Sequence, residues 1–323
     1  MRILSGIQPT GNPHIGNYLG AIQHWAELQD GNEVFYFIPD LHAITVPQDP
    51  EELRKHTLEM AMLLIASGID PARSVVFVQS HVPAHVELAW ILNCMTPIGE
   101  LERMTQYKDK KEKSNYAGLF NYPTLMAADI LLYDTEGVPV GEDQVQHIEL
   151  TRSLAERFNN RYGETFVIPK PLLKKETMRI MSLIDPSRKM SKSDDSEKSR
   201  INLSDTPEAI RQKIKSAVTD SGSHIKHDPD KPALSNLLNI FSGFSGRSIA
   251  NIETEFEGGS YVDFKSALAE VVVGALAPFQ QKFNELKQDE SEVRAILKRG
   301  AERAHHIAEK KLREVYEKVG FLW

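Results

Sequence analysis

The sequence predicts an α/β chain, a doubly wound parallel sheet followed by an all-helical C-terminal region. Three observations carry this. Short runs of β-formers alternate with longer helical periods through the first half. Little strand pattern remains beyond about Leu183. The 323 residues are 41% hydrophobic and 26% charged, enough apolar material for a sizeable core.

Taken in order, Arg2 to Ser5 reads as a strand, and Ile15, Leu19, Ile22 and Trp25 recur at helical spacing. Val34 to Ile38 is a second strand. Glu51 to Ala66 is a helix with Leu53, Leu58, Met62 and Ile65 as inner positions. Ser74 to Val78 is a strand and Ala84 to Asn93 an apolar helix. Pro123 suits the start of a helix over Thr124 to Tyr133. Glu142 to Phe158 is amphipathic, and Thr165 to Ile168 reads as a short strand. A polar stretch from Asp185 to Asn202 follows. Beyond it the pattern gives helices over Pro207 to Val218, Ala233 to Phe241, Asp263 to Leu286 and Glu290 to Val319, with Pro278 expected to kink or split the third. The expected organisation is a sheet domain over 1–185 and a helical region over 186–323, whose last helix is free to pack back on the first.

Composition narrows the function. The formal charge of −7 argues against bulk, non-specific nucleic-acid binding. A single cysteine, Cys94, excludes an intrachain disulfide framework and a cysteine zinc site, and fits a reducing, cytoplasmic location. No apolar run approaches the roughly 18 residues of a membrane span, and the first residues carry no signal-peptide core. His81 and His85 stand four apart, but Pro83 lies between them and no third ligand is evident, so they read as structural.

Three segments carry chemistry. Gly6 to Asn17 joins the first strand to a helix, where an open α/β sheet places its ligand crevice and a helix N-terminus suits phosphate. Gly16 lets a nucleotide approach the backbone, and His14 and Asn17 offer donors. It is neither a Walker loop nor a dinucleotide fingerprint. Lys189-Met190-Ser191-Lys192-Ser193 sets two lysines three apart in a polar loop, mobile point charges for phosphates; composition alone reads it as a solvated linker. Gly141-Glu142-Asp143-Gln144 follows the strand-like Val138 to Val140 as another strand-to-helix corner, whose carboxylates and amide suit ribose hydroxyls or simply the first turn of a helix.

Together and in this order, these segments resemble class I aminoacyl-tRNA synthetases. His14-Ile15-Gly16-Asn17 is similar to their HIGH signature, and Lys189 to Ser193 matches KMSKS letter for letter. Ser5 to Gly11, Asp40 to Thr45, Gly99 to Gln106, Leu125 to Tyr133 and Val138 to Gln144 bring the resemblance closest to the bacterial tryptophanyl members, over nearly the whole chain. It implies a Rossmann-like catalytic fold binding ATP and tryptophan, a helical region for the tRNA anticodon, a homodimer, and the partner tRNA(Trp). Gln8, Pro9, Thr10, Gly16, Asn17, Gly141, Glu142, Asp143, Ile180, Met190, Ser191 and Ser193 are implied to hold ATP. His14, Asn17, Lys110, Lys189 and Lys192 are implied to act on its phosphates. Asp129 would accept the indole N–H, and Tyr122, Met126, His42, Val140, Gln144, Leu4 and Ser5 would line the amino-acid pocket. There are departures: Asn17 replaces the final histidine of HIGH, His14 stands where many bacterial members have threonine, and Leu4 stands where phenylalanine is expected.

The implied chemistry needs little more. A carboxylate is already a nucleophile, so positioning and charge stabilisation suffice, and Mg²⁺ rides mainly on the ATP phosphates without a metal cage of its own. A carboxylate inside an apolar run is costly unless paired, and indole has one donor and no acceptor. The bland alternative for Asp129 is a salt bridge to an arginine or lysine. Between 165 and 200 nine basic residues face five acidic ones, and Arg211, Lys213, Lys215, Lys310, Lys311 and Arg313 follow, as an RNA surface or ordinary helix faces. The rival readings are a tyrosyl enzyme, a non-catalytic regulator on the same scaffold, and a small-molecule adenylyltransferase.

Overall fold

The computed structural model describes residues 1–9, 11, 13–110, 116–173, 179–192, 194–222 and 224–322. Of the expected site residues, Thr10, Ser193 and the Lys110 side chain lie outside what is described. By contact the chain divides into two compact units, 1–10 with 28–175 and 289–323, and 11–27 with 176–288.

The first unit holds a parallel sheet of five strands: β1 (Arg2–Gly6), β2 (Glu33–Ile38), β3 (Val75–Val78), β4 (Gly137–Val140) and β5 (Lys170–Leu173). Their order is β3-β2-β1-β4-β5, so the chain reverses its direction of winding between β1 and β4, the Rossmann-like arrangement. β2 and β3 are buried on both faces, which explains their continuous apolar runs. The strand expected at Thr165 to Ile168 forms instead at Lys170–Leu173. The strand includes Pro171, which β5 tolerates because it is an edge strand.

Helices cover the sheet. Asp49 caps the helix Pro50–Ala66 by accepting from the Glu51 and Glu52 N–H groups, and Pro50 fits the first turn. Of its expected inner positions Leu58 and Met62 are buried, whereas Leu53 and Ile65 are half-buried. Met60, Ala61, Leu63 and Leu64 are buried instead, because the helix packs on β2, β3 and the helix Glu290–Val319 together. The helix expected to begin at Pro123 begins at Ala117 and continues to Leu131 with Pro123 inside it. Proline removes one ladder donor there, while the buried Leu119, Thr124 and Ala127 hold that side of the helix in place.

The helix Glu290–Val319 has the expected bounds and packs against β3. It crosses so closely that a Cβ on Gly300 would lie 1.8 Å from the Val76 carbonyl oxygen, so only glycine fits. Arg303 donates to the Ser74 carbonyl nearby.

The second unit is helical. It takes in Ile15–Glu27, which includes a π-helical turn over Tyr18–Ile22, and the helices Pro207–Ser216, Pro232–Ser245, Ile249–Glu255 and Tyr261–Gln288. Tyr18 stacks on Phe244 and meets Phe279 edge-on, and Leu19 packs on Gly243, where there is no room for a side chain. Helix 261–288 runs through Pro278 without a break. Ile249–Glu255 was not legible in the sequence pattern. Ser248 caps it by accepting from the Asn251 N–H.

Candidate active site

In the sheet unit, Asp129 lies on the helix 117–131 and is only 1% exposed. Among the described residues its partners are neither arginine nor lysine. Gln79 Nε2 donates to Oδ1 at 2.7 Å, His85 Nδ1 to Oδ1 at 2.6 Å, and His42 Nε2 to Oδ2 at 2.8 Å. Burial by itself would raise this carboxyl, but the hydrogen bonds from His42 and His85 and their electrostatic attraction overcome it and hold the pKa at about 2. Asp129 is therefore an ionised, buried acceptor. Gln79 is oriented in turn, because its Oε1 accepts from the Leu41 N–H.

Tyr122 projects from the same helix. Its hydroxyl sits 2.6 Å from His147 Nε2 and donates to Gln106 Oε1, and its ring meets His42 edge-on at 6.0 Å. Burial pushes the phenol up to about 12. Leu4, Ser5 and Val140 are buried on β1 and β4, and Met126 is half-buried against the same core. At the end of β4, Gln144 N–H donates to the Gly141 carbonyl and its side chain donates to Asp143. A Cβ on Gly141 would strike that carboxylate at 2.8 Å, and Gly141, Glu142 and Asp143 are all exposed. Gln8 is exposed after β1, and Pro9 is buried.

The second unit gathers the two signatures. His14 is 3% exposed and caps the helix that starts at Ile15. Its Nδ1 accepts from the Gly16 N–H at 3.1 Å, while its own N–H donates to Asn17 Oδ1 at 3.1 Å. A Cβ on Gly16 would press on the His14 ring at 3.0 Å, so glycine is what lets the ring close over its N–H. The residues after the lysine signature brace this turn: Ile15 N–H donates to the Ile201 carbonyl and Leu203 N–H to that of Pro13. The lysine signature itself leaves a short antiparallel pairing in which Met190 N–H donates to Ile180 and Ser182 N–H to Arg188. Asn236, which no local pattern marked, bonds both the N–H and the carbonyl of Met181 and so anchors this pairing. Lys189 is exposed, Ser191 and Lys192 are half-buried, and Lys192 Nζ donates to the Gly11 carbonyl at 3.3 Å.

Burial first, and then the charges of Lys192, Lys189 and Arg200, lower the His14 pKa to about 4. Protonating Nδ1 would also break the cap. The group is a base with a depressed folded pKa, so its contribution to stability is complete above about 6.5 and is lost as the pH falls through about 4. An NMR titration is expected to show the His14 ring uncharged down to about pH 4. A midpoint near the ordinary histidine value would contradict the cap.

Among residues that sequence reasoning missed, Gln79, His85 and Tyr133 matter most. His85 Nε2 lies 2.8 Å from the Tyr133 hydroxyl. The one available signal was that Tyr133 stands four residues beyond Asp129, one helical turn away.

Comparison with known proteins settles the lineage. A family model described as class I tRNA synthetases (W and Y) matches residues 1–277. The chain belongs to this family. It is 53% identical to a tryptophan–tRNA ligase of Caldanaerobacter subterraneus over 99% of this chain and 98% of that one. It is 54% identical to the tryptophan–tRNA ligase of Bacillus anthracis over 98% and 97%. The tryptophanyl-tRNA synthetase of Campylobacter jejuni, solved with ADP and tryptophan, superposes with a TM-score of 0.88 at 40% identity, covering 99% of this chain and all of that one. As a class I synthetase of the W and Y family, this chain has the parallel sheet and helical continuation that its sequence predicts.

Proposed function

We infer that this chain is a tryptophan–tRNA ligase. It joins L-tryptophan to ATP, forming tryptophanyl-adenylate and pyrophosphate, and then transfers tryptophan to the 3′ end of tRNA(Trp). In the first step a carboxylate oxygen of tryptophan attacks the α-phosphorus and the bond to the β-phosphate breaks. In the second, the 2′-hydroxyl of the terminal adenosine attacks the anhydride carbonyl and AMP leaves.

The observation that carries the tryptophan assignment is the buried, ionised Asp129. Its Oδ1 already accepts two hydrogen bonds and its Oδ2 one, which leaves Oδ2 one position for a donor. An indole N–H answers that position, and phenylalanine would leave it unpaired, so discrimination needs no editing domain. Tyr122, Met126, His42, Val140, Gln144, Leu4 and Ser5 make up the rest of the amino-acid side. Gln8, Pro9 and Thr10 are assigned to ATP, and Gly141, Glu142 and Asp143 to its ribose. In the second unit, Gly16, Asn17, Ser191 and Ser193 serve ATP, and the main chain of Ile180 and Met190 flanks adenine. Lys110, Lys189 and Lys192 serve the phosphates, beside which His14 acts as an uncharged hydrogen-bonding group. Mg²⁺ enters with the phosphates. The reaction belongs in the cytoplasm. Among the described residues no helix is long and apolar enough to cross a membrane.

Residues 1–185, together with the lysine signature 189–193, are assigned to catalysis, and the helical region within 186–323 to the anticodon. Several of the expected basic contacts are already engaged: Arg211 with Glu270, Lys213 with Asp205, Lys311 with Glu314, and Arg313 with Glu309.

A second copy of the chain is assigned to the helix Ala84–Asn93. Val86 and Trp90 share one face four residues apart, with Trp90 66% exposed and Ile98 beyond it 68% exposed. Sedimentation is expected to give a dimer for the native chain and a monomer for Trp90→Glu. A dimer in both would move the interface elsewhere.

Pyrophosphate exchange with tryptophan and, separately, with tyrosine tests the function. Exchange with tryptophan alone is the expected result. Exchange with tyrosine would favour the tyrosyl reading, and no exchange with either would favour the regulator.

A further inference from the structure

Asp129 could face its ligand with either oxygen, and a free carboxylate swings between the two. Here it cannot. Oδ1 takes both Gln79 Nε2 and His85 Nδ1, so its two in-plane positions are filled, and among the described residues Oδ2 takes only His42. The three donors come from separate elements, 50, 44 and 87 residues away. His85 is itself held from behind. An ionised carboxylate can only accept, so Nδ1 carries the hydrogen of that bond. Tyr133 is fully buried, burial together with the neighbouring Asp129 charge raises its hydroxyl well above the ordinary value, and that hydroxyl lies 2.8 Å from Nε2. The rings of Phe37 and Phe77 pack beside His85. Each ring nitrogen of His85 therefore has a buried partner, Asp129 on one side and Tyr133 on the other.

We propose that His85, oriented by Tyr133, is a positioning residue for amino-acid recognition: it occupies Asp129 Oδ1 so that Oδ2 alone is presented to the substrate donor. The proposal rests on the reading above that Asp129 accepts from the substrate side chain.

Pyrophosphate exchange on the full-length enzyme tests it, with the KM values for tryptophan and ATP measured separately. His85→Leu is expected to raise the tryptophan KM about tenfold and leave that for ATP within about twofold. His85→Asn places its amide nitrogen where Nδ1 stood, restoring a donor to Oδ1, and is expected to return the tryptophan KM to within about threefold of native. Tyr133→Phe removes only the hydroxyl and is expected to raise the tryptophan KM about threefold to fivefold. A general packing role would lower the melting temperature without a selective rise in the tryptophan KM, or move both KM values together, with no rescue by asparagine, and would overturn the proposal. An unchanged tryptophan KM in His85→Leu would also overturn it. Should that variant not fold, Tyr133→Phe decides by the same readout. Asp129→Asn separates the two levels. If it raises the tryptophan KM while His85→Leu and Tyr133→Phe do not, only the positioning role falls. If it leaves that KM unchanged, the recognition reading falls and the positioning role with it.

Discussion

Asp129→Ala is expected to raise the KM for tryptophan by at least about tenfold in pyrophosphate exchange, while the KM for ATP stays near its native value. The substitution removes the acceptor and strands three buried donors, on Gln79, His42 and His85. A buried donor left without a partner costs about 1–3 kcal/mol, so the melting temperature falls as well. The two effects are separable, because lost stability lowers the amount of active enzyme and lost recognition raises one KM. An unchanged tryptophan KM would remove Asp129 from the pocket. Acid should act in the same direction at its extreme: the depressed carboxyl gives stability that is complete above about pH 4 and is lost as the pH falls through about 2.

Lys192→Ala is expected to lower the exchange turnover about a hundredfold with little change in the tryptophan KM, the pattern of a charge that acts on the transition state. Lys192 is half-buried, and burial pulls its ammonium down to about 8. A poorly hydrated cation gains more from an arriving phosphate than an exposed one does. Its contact with the Gly11 carbonyl keeps the group within the unit that carries His14, Gly16 and Asn17. Removing it also removes the largest of the three charges that depress His14, so the His14 pKa should rise in the variant, an independent check by NMR. A loss confined to tryptophan binding would contradict the phosphate role.

The legible part of this protein was local. Four of the five strands, the helix at 290–319 and both signature segments follow from residue order within windows of about 5 to 30 positions, where periodicity and turn chemistry act. Where the pattern misled, a tertiary condition had overridden a local rule. Pro123 lies inside a helix whose far side is held by packing, and Pro171 lies in a strand that has only one neighbour. The candidate site was legible in its residue types and not in its bonding. Asp129 was marked by its cost in an apolar run, but nothing near it in sequence named His85, Gln79 or His42 as its partners.

The sequence by itself therefore determined the alternation of strand and helix, the family, and the residue types available for phosphate and indole. Only the tertiary structure decided which oxygen of Asp129 is occupied, that the His14 ring caps its own helix against Gly16, and that Gly300 must be glycine beneath a strand more than 200 residues away. The physical reason is range. Propensity and amphipathic period are summed along neighbouring residues, whereas a hydrogen bond or a close approach depends on which distant elements the packed core brings together.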